Sequence, residues 1–328
     1  MREVTVGSYN MSFLSDELTD LNDAQKASEI SFLSSNLSGD RHCFWKNALC
    51  LLKKFIKEKC PGVISLQEIN KTKRGSNTGS DAIDSMLEKY YPDYQHVCKE
   101  RIINDTKKAA LSIIFDTTVF GKMKHYKILN NPFQPIRLLI MVVTEKNYVF
   151  VNYHGAKDVI IVSNDKDVFN KTLRYYNIKF VQSNVEQFMR EHNVSTTRVL
   201  IMGDTNDFFN AIHEFIILGK KLRFKGNPPK SCCYNWESSC TEDRYKPFDT
   251  RSGICRLPDD KFQFSQDGLK LSMYGEEGYT KNYRLYGDKI FGLCPVTEIK
   301  IFEGKNKDGP SVESDHQMVY SKYKLDIQ

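Results

Sequence analysis

No stretch of this chain stays apolar for long enough to cross a bilayer. Its longest apolar runs, such as Leu138–Val143, fall far short of the roughly 20 residues that a spanning helix needs. The opening residues MREVTVGSYN carry no apolar core behind Arg2. No secretory signal is therefore expected, and an intracellular place, cytoplasmic or nuclear, follows. Internal repeats, low-complexity tracts and Pro- or Ser-rich linkers are also missing. That excludes a repeat array and leaves a single domain over residues 1–328 as the expectation. Paired CxxC spacing is absent. The nine cysteines stand at 43, 50, 60, 98, 232, 233, 240, 255 and 294, and an odd number excludes a complete disulfide framework. They are expected as reduced thiols, most of them packing residues. Cys232, Cys233, Cys240 and Cys255 lie close together in sequence, but with no His among them and no zinc-ligand spacing.

A strong charge bias is lacking too. The 47 basic and 41 acidic residues leave a net charge of +6, which permits an anionic substrate without requiring one. Basic residues bunch at KTKR (71–74), KK (107–108), KMKH (122–125) and KKLRFK (220–225), each of which alone reads as a solvated face. With 40% hydrophobic and 27% charged residues, the composition is that of a soluble globular protein rather than a disordered one.

What is present alternates strands and helices. EVTVGSYN reads as a strand with a polar end. Residues 44–59 place apolar side chains at 44, 45, 48, 51, 52, 55 and 56, the spacing of an amphipathic helix, and Pro61-Gly62 stops it. VISLQEI (63–69) reads as a short buried strand and 81–91 as a helix. Strands are expected over 110–120 and 136–155, the latter a hairpin around Glu145-Lys146-Asn147. A long helix follows at 166–192, then a strand at 198–204. FFNAIHEFIILG, after Asp207, reads as a helix that Asp207 caps. Residues 226–285 read as an elaborated loop region, and 284–293 and 315–325 as closing strands. Strands outnumber helices and adjoin one another, which favours sheets packed together with helices outside.

The strand ends share a pattern. They finish or break at Asn10, at Gln67-Glu68, at Asn152 and His154, at Asp204 and Asn206, at Asp288, and at Ser314-Asp315-His316. LIMGDTND (200–207) is the sharpest case: a buried strand runs straight into carboxylates and a carboxamide. Functional side chains gather where strands meet loops. One such end means little, but six bearing metal- and phosphate-binding residue types point to phosphoester chemistry.

In this order, SYN (8–10), VISLQEI, VNYH (151–154), IMGDTND, YGDKIF (286–291) and SDHQMV (314–319) resemble the endonuclease/exonuclease/phosphatase superfamily. That group includes DNase I, abasic-site endonucleases, inositol polyphosphate 5-phosphatases, neutral sphingomyelinases and tyrosyl-DNA phosphodiesterases. The resemblance runs from Ser8 to Val319. It implies a DNase I-like α/β fold, a four-layer α/β sandwich with two mixed β-sheets face to face and helices outside. It further implies a Mg²⁺-dependent phosphoesterase, with Mn²⁺ as a possible substitute. The expected activity is that of a nuclease or nucleotide-directed phosphodiesterase acting on nucleic acid or nucleotide. The alternatives are a small-molecule, inositol-phosphate or lipid-headgroup phosphatase, and a catalytically dead binding module. A monomer is expected.

The resemblance implies Glu68 as principal Mg²⁺ ligand, a hard carboxylate suited to that ion. Asn10 stands beside it, and Asp315 approaches the metal side. Asp204 and Asn206, one residue apart on an extended chain end, are expected to share a face. The carboxylate would act on the attacking water and the carboxamide would donate to phosphate. His316 is the second acid/base or phosphate donor, with Asp288 on its other ring nitrogen fixing the tautomer. His154 matches the histidine that donates to the scissile phosphate in the DNase I and phosphatase branches. Arg137, Lys157, Tyr234, Trp236 and Tyr283 are expected to bind substrate, the aromatics by stacking on bases. Departures from the family pattern include Met11-Ser12 after Asn10, where many relatives carry a further Asn or Asp. Gly155-Ala156-Lys157 replaces a more usual Leu after His154. LYGDKIF stands where 5-phosphatases carry Trp-Cys-Asp-Arg, so inositide specificity is not indicated.

Overall fold

The computed structural model describes residues 1–11, 42–69, 79–102, 108–131, 134–155, 166–207, 212–229, 231–234, 283–285, 287–302 and 316–327. Chain order is β1 (Arg2–Asn10), α1 (His42–Lys59), β2 (Val63–Gln67), α2 (Gly79–Tyr90), β3 (Tyr94–Ile102) and β4 (Lys108–Asp116). The one-turn helix α3 (Thr117–Phe120), β5 (Met123–Asn131), β6 (Gln134–Thr144), β7 (Val149–Tyr153), α4 (Lys166–Glu191) and β8 (Val199–Asp204) follow. The described remainder is β9 (Glu214–Ile217), β10 (Lys220–Arg223), β11 (Cys232–Tyr234), β12 (Tyr283–Leu285), β13 (Asp288–Phe291), β14 (Lys300–Ile301) and β15 (Val319–Leu325).

The strands build two main sheets. Sheet I has six strands in the order β14-β15-β1-β2-β4-β3, and sheet II has five in the order β13-β8-β7-β6-β5. Both are mixed, because β1 runs parallel to β2 and β7 parallel to β8 while their other neighbours are antiparallel. Alternate residues of each strand point to opposite faces, and the sequence uses this to fill three apolar layers. Val4, Val6, Val63, Ile113 and Phe115 of sheet I meet Ile140, Val142, Phe150, Leu200 and Ile290 of sheet II between the sheets. Leu51, Leu52, Phe55 and Ile56 of α1, with Ile83 and Leu87 of α2, cover the outer face of sheet I. Val181, Val185, Phe188 and Met189 of α4 cover that of sheet II. The order is therefore helix, sheet, sheet, helix, the expected sandwich. Among the described residues no helix is long and apolar enough to cross a membrane.

Helix α1 ends where Cys60 takes a left-handed φ of 44° and its amide caps the Ile56 carbonyl at 3.0 Å, just before Pro61. The hairpin turn at Glu145–Asn147 forms as read, with Asn147 left-handed at φ 57°. Three readings need correction. Within FFNAIHEFIILG, residues Glu214–Ile217 are strand β9, paired with β10. Phe215 and Ile217 point inward while Glu214 and Ile216 do not, and left-handed Leu218 and Gly219 form a hairpin turn that no helix accommodates. Edge strands β3 and β5 were not foreseen at all. Finally, Cys50, Cys60 and Cys294 are exposed free thiols rather than packing residues.

Toward one end of the sandwich the gap between the sheets turns polar. Ser8, Ser65 and Gln67 of sheet I and Asn152 of sheet II are all fully buried there. Asn152 Nδ2 donates to the backbone carbonyls of Leu66 (2.7 Å) and Ser112 (2.8 Å) across the gap, and its Oδ1 accepts from Gln67 Nε2 (2.8 Å). This one side chain ties β7 to β2 and β4. Asn152→Ala removes all three of these buried hydrogen bonds. It is expected to cost about 3 kcal/mol, since each contributes roughly 0.5–1.5. Urea denaturation measures this, and a loss within about 0.5 kcal/mol, the level of an inert surface change, would exclude the tie.

Candidate active site

The polar end of the gap is where the strand-end residues converge. Asp204 closes β8 and is 1% exposed. One of its oxygens, Oδ1, accepts from the Asn206 amide at 2.8 Å. The other, Oδ2, accepts from Asn10 Nδ2 at 3.1 Å across the two sheets. His154 Nε2 stands 3.6 Å and His316 Nε2 3.7 Å from the same Oδ2. Burial by itself would push the Asp204 carboxyl up. The two histidines, the Asn206 amide and Arg137 outweigh it and hold the group below its ordinary value.

Asp288 opens β13 directly opposite Asp204 in the strand register. Its Oδ2 meets His316 Nδ1 at 2.8 Å, which aims the other ring nitrogen at Asp204, so one imidazole lies between two carboxylates. Burial pushes Asp288 up; His316 opposes this, and the neighbouring Asp204 charge adds to it. Ser231 completes this corner. Its hydroxyl donates to Asp288 Oδ2 at 2.6 Å, the Asp288 amide donates to Ser231 Oγ at 3.3 Å, and the Gln317 amide donates to the Ser231 carbonyl at 2.7 Å. Nothing in the sequence marked Ser231. It precedes a cysteine pair in an irregular stretch, and only the β11–β12 pairing brings it to Asp288.

On the sheet I side Glu68 follows β2 with a left-handed φ of 55°, unusual for a residue with a side chain. Its carboxylate is 22% exposed and faces Arg137 Nη1 at 3.2 Å and His154 Nε2 at 3.5 Å. The Arg137 guanidinium also approaches the His154 ring, at Nδ1 (3.1 Å) and at Nε2. Asn10, Glu68, Arg137, His154, Asp204, Asn206, Asp288 and His316 thus gather at one end of the sandwich. Tyr234 and Tyr283 are register partners on β11 and β12. Lys157, Trp236 and Asp315 lie outside the described residues.

Two details differ from expectation. The chain after Asp204 is not extended, because Asn206 is left-handed at φ 50°, and the Asn206 carboxamide donates to the Gly155 carbonyl at 2.9 Å. Asn206 therefore locks the turn after β8 to the end of β7. Asp207 also does not face solvent as a simple cap. It is fully buried and accepts from Lys289 Nζ and the Ile212 amide. Close approach explains the glycines here: a Cβ on Gly203, at φ 143°, would sit 2.0 Å from the Tyr153 carbonyl oxygen, and one on Gly155 2.1 Å from that of Thr205.

No protein-family model matches the chain, and no curated protein matches it in sequence. Among solved structures it is similar to ANGEL2, described as a 2',3'-cyclic phosphatase. The TM-score is 0.52 at 14% identity, covering 99% of this chain and 96% of that one. It is also similar to an endonuclease/exonuclease/phosphatase from Bacteroides vulgatus, with TM-score 0.51, 10% identity, and 99% and 100% of the two chains covered. These likenesses are of fold: the chain shares with both a DNase I-like α/β sandwich, two mixed sheets packed between helices.

The depressed Asp204 carboxyl has a consequence for stability. A carboxylate whose folded value lies below its ordinary 3.8 stabilises the fold above that pH and loses this contribution as pH falls through the folded value. Wild type should therefore lose stability relative to Asp204→Asn as pH is lowered from neutrality to below 3.8. Urea titrations at a series of pH values test this, and a pH-independent gap would exclude a cation-held Asp204.

Proposed function

We propose that this protein is a Mg²⁺-dependent phosphoesterase that hydrolyses a P–O bond in nucleic acid or a nucleotide. The observation that carries the reading is the fully buried Asp204 carboxylate, ringed by His154, His316 and Asn10, with Asp288 seated on the far side of His316. Structural likeness to ANGEL2, whose description names a cyclic phosphatase, supports phosphoester hydrolysis on this scaffold.

In this reading Asp204, held ionised, orients the attacking water and takes its proton. Asp288 holds the Nδ1 proton of His316 and orients its ring, and as the imidazolium, with both ring nitrogens protonated, His316 donates from Nε2 to a phosphate oxygen. His154 and Arg137 offer further donors to the equatorial oxygens, where negative charge builds in the transition state. Asn206 holds the turn that carries Asp204, and Asn10 fixes the carboxylate from sheet I.

The donor set suits Mg²⁺. Glu68 presents a hard, partly exposed carboxylate at the mouth of the site, with the Asn10 carboxamide in the same cluster. Among the described residues Glu68, His154, Asp204 and His316 lie close together but form no closed metal cage. Mg²⁺ needs no such cage, because it keeps several waters and binds through one or two carboxylates plus substrate phosphate. Glu68 and Asn10 would hold it, and Asp315 stands nearby in sequence order. When bound, the ion supplies charge neutralisation at the phosphoryl oxygens.

The preference for nucleic acid or nucleotide rests on the basic balance of the chain and on the aromatic, lysine-bearing residues of 226–285. The test is hydrolysis with Mg²⁺ over single- and double-stranded DNA, RNA, dinucleotides, 2',3'-cyclic nucleotides and soluble inositol phosphates. Turnover of a nucleic acid or nucleotide is expected, abolished by EDTA and lowered about 10²–10⁴-fold in His316→Ala, the usual worth of a positioned acid or base. Phosphate release from the inositol phosphates alone would replace this reading with a small-molecule phosphatase. Binding of nucleic acid without turnover would make the chain a binding module.

A further inference from the structure

On the outer side of sheet II, behind Asp204 and Asp288, Lys289 and Asp207 form an ion pair with both side chains at 0% exposure and Nζ 2.5 Å from Oδ2. Removing two charges from water is costly, and apolar residues of similar volume often pack such a place with equal or greater stability. General stability is therefore a poor reason for the pair, and its position suggests another.

Lys289 directly follows Asp288 and is the register partner of Gly203, which directly precedes Asp204. Asp207 directly follows Asn206, and its Oδ2 also takes the Ile212 amide. The ion pair therefore pins the far end of the Asp204–Asn206 turn to the strand that carries Asp288. Thr205 pins the middle of that turn to the same strand's entrance, since its amide and its hydroxyl both donate to the Gly287 carbonyl, at 2.8 and 2.9 Å. A neutral apolar contact tolerates a slide of an ångström, whereas a desolvated charge pair confines the turn to one placement.

We propose that Lys289 and Asp207 are positioning residues. Their buried ion pair sets the distance between the Asp204 carboxylate and the Asp288–His316 pair without touching substrate. This rests on Asp204 and His316 being the working groups of a phosphoesterase.

The experiment compares Lys289→Met, Asp207→Asn and the double variant with wild type. It reads kcat and KM on a substrate that wild type turns over, together with amide hydrogen exchange across 199–207 and 288–291. Each single change is expected to lower kcat about 10- to 100-fold, the cost of a small misplacement of reacting groups, with KM within about twofold. Exchange at 204–207 should accelerate. The double variant should lose no more kcat than the worse single, because both residues act through one contact.

Singles that lower the unfolding temperature but leave kcat and the 204–207 exchange unchanged would overturn the proposal, as would kcat losses that multiply in the double. Should Lys289→Met fail to fold, the double, which buries no unpaired charge, decides. Reduced kcat with faster exchange supports the proposal, and wild-type values for both overturn it. Asp204→Asn runs alongside and separates the two ideas. It should abolish turnover while leaving exchange at 288–291 protected. If wild type hydrolyses nothing, the reading of the site fails by itself, and unchanged exchange in the variants would overturn the brace independently.

Discussion

The arrangement turns on one buried carboxylate. Asp204 is 1% exposed, and an ionised carboxylate in such a place is tolerated only where fixed charges and donors replace its water. Here they come from both sheets. Asn10 and His316 reach it from the sheet I side, and His154 stands on its own sheet. The sandwich gap is built to permit this. Along β1 the inward positions read Val4, Val6, Ser8, Asn10, and along β2 Val63, Ser65, Gln67. Opposite them run Phe150, Asn152, His154 and Leu200, Met202, Asp204. With side chains alternating at a period of two, each strand changes from apolar to polar toward the same end, β8 one step later than β7 because Met202 still pairs with Asn152. The apolar half holds the sheets together and the polar half holds the charge.

That gradient places strain where chemistry is expected. Glu68 and Asn206 both take left-handed backbone conformations at strand ends, and Gly203 a conformation open to few other residues. Such conformations cost of order 1–3 kcal/mol each and persist only when their surroundings over-determine them. The surroundings here are specific. Asn206 is held by the Gly155 carbonyl and the Asp204 carboxylate, and Thr205 by Gly287. The turn after β8 is thus fixed by hydrogen bonds to two other strand ends rather than by its own propensity.

Burial decides how much of this could be read from the sequence. The central strands β1, β2, β7 and β8 announce themselves, because both faces are covered and the apolar run stops abruptly at a polar end. Helices α1, α2 and α4 show through their spacing to within a residue or two. The edge strands β3 and β5 do not. YQHVCKERI and MKHYKILNN carry the charge and polarity that keep an edge from pairing with another chain, and that composition hides the strand from a search for buried alternation. The β9–β10 hairpin is hidden differently. Phe215, Ile216 and Ile217 are contiguous apolar residues that suit a helix or a strand equally, and only the left-handed Leu218–Gly219 turn decides. Among the site residues, those at the ends of central strands were legible for the same reason as the strands. Ser231 and the Lys289–Asp207 pair were not, because their meaning lies in partners 57 and 82 residues away.

A division of labour between the sheets follows from these contacts. Sheet II carries Arg137, His154, Asp204 and Asp288 on adjoining strands. Sheet I contributes Asn10, Glu68 and, at the entrance to β15, His316. Asp204 and Asp288 lie opposite one another in one register, and two neighbouring buried carboxylates resist joint ionisation. Among the described residues the imidazole brought by sheet I stands between them, with one ring nitrogen toward each. The site is therefore a product of sheet packing rather than of any local motif. The Asn152 bridge between the sheets, two residues before His154 and bonded to the residue that precedes Glu68, belongs to it as much as the residues at the rim, because it fixes the spacing across which Asn10 meets Asp204 and His316 meets Asp288.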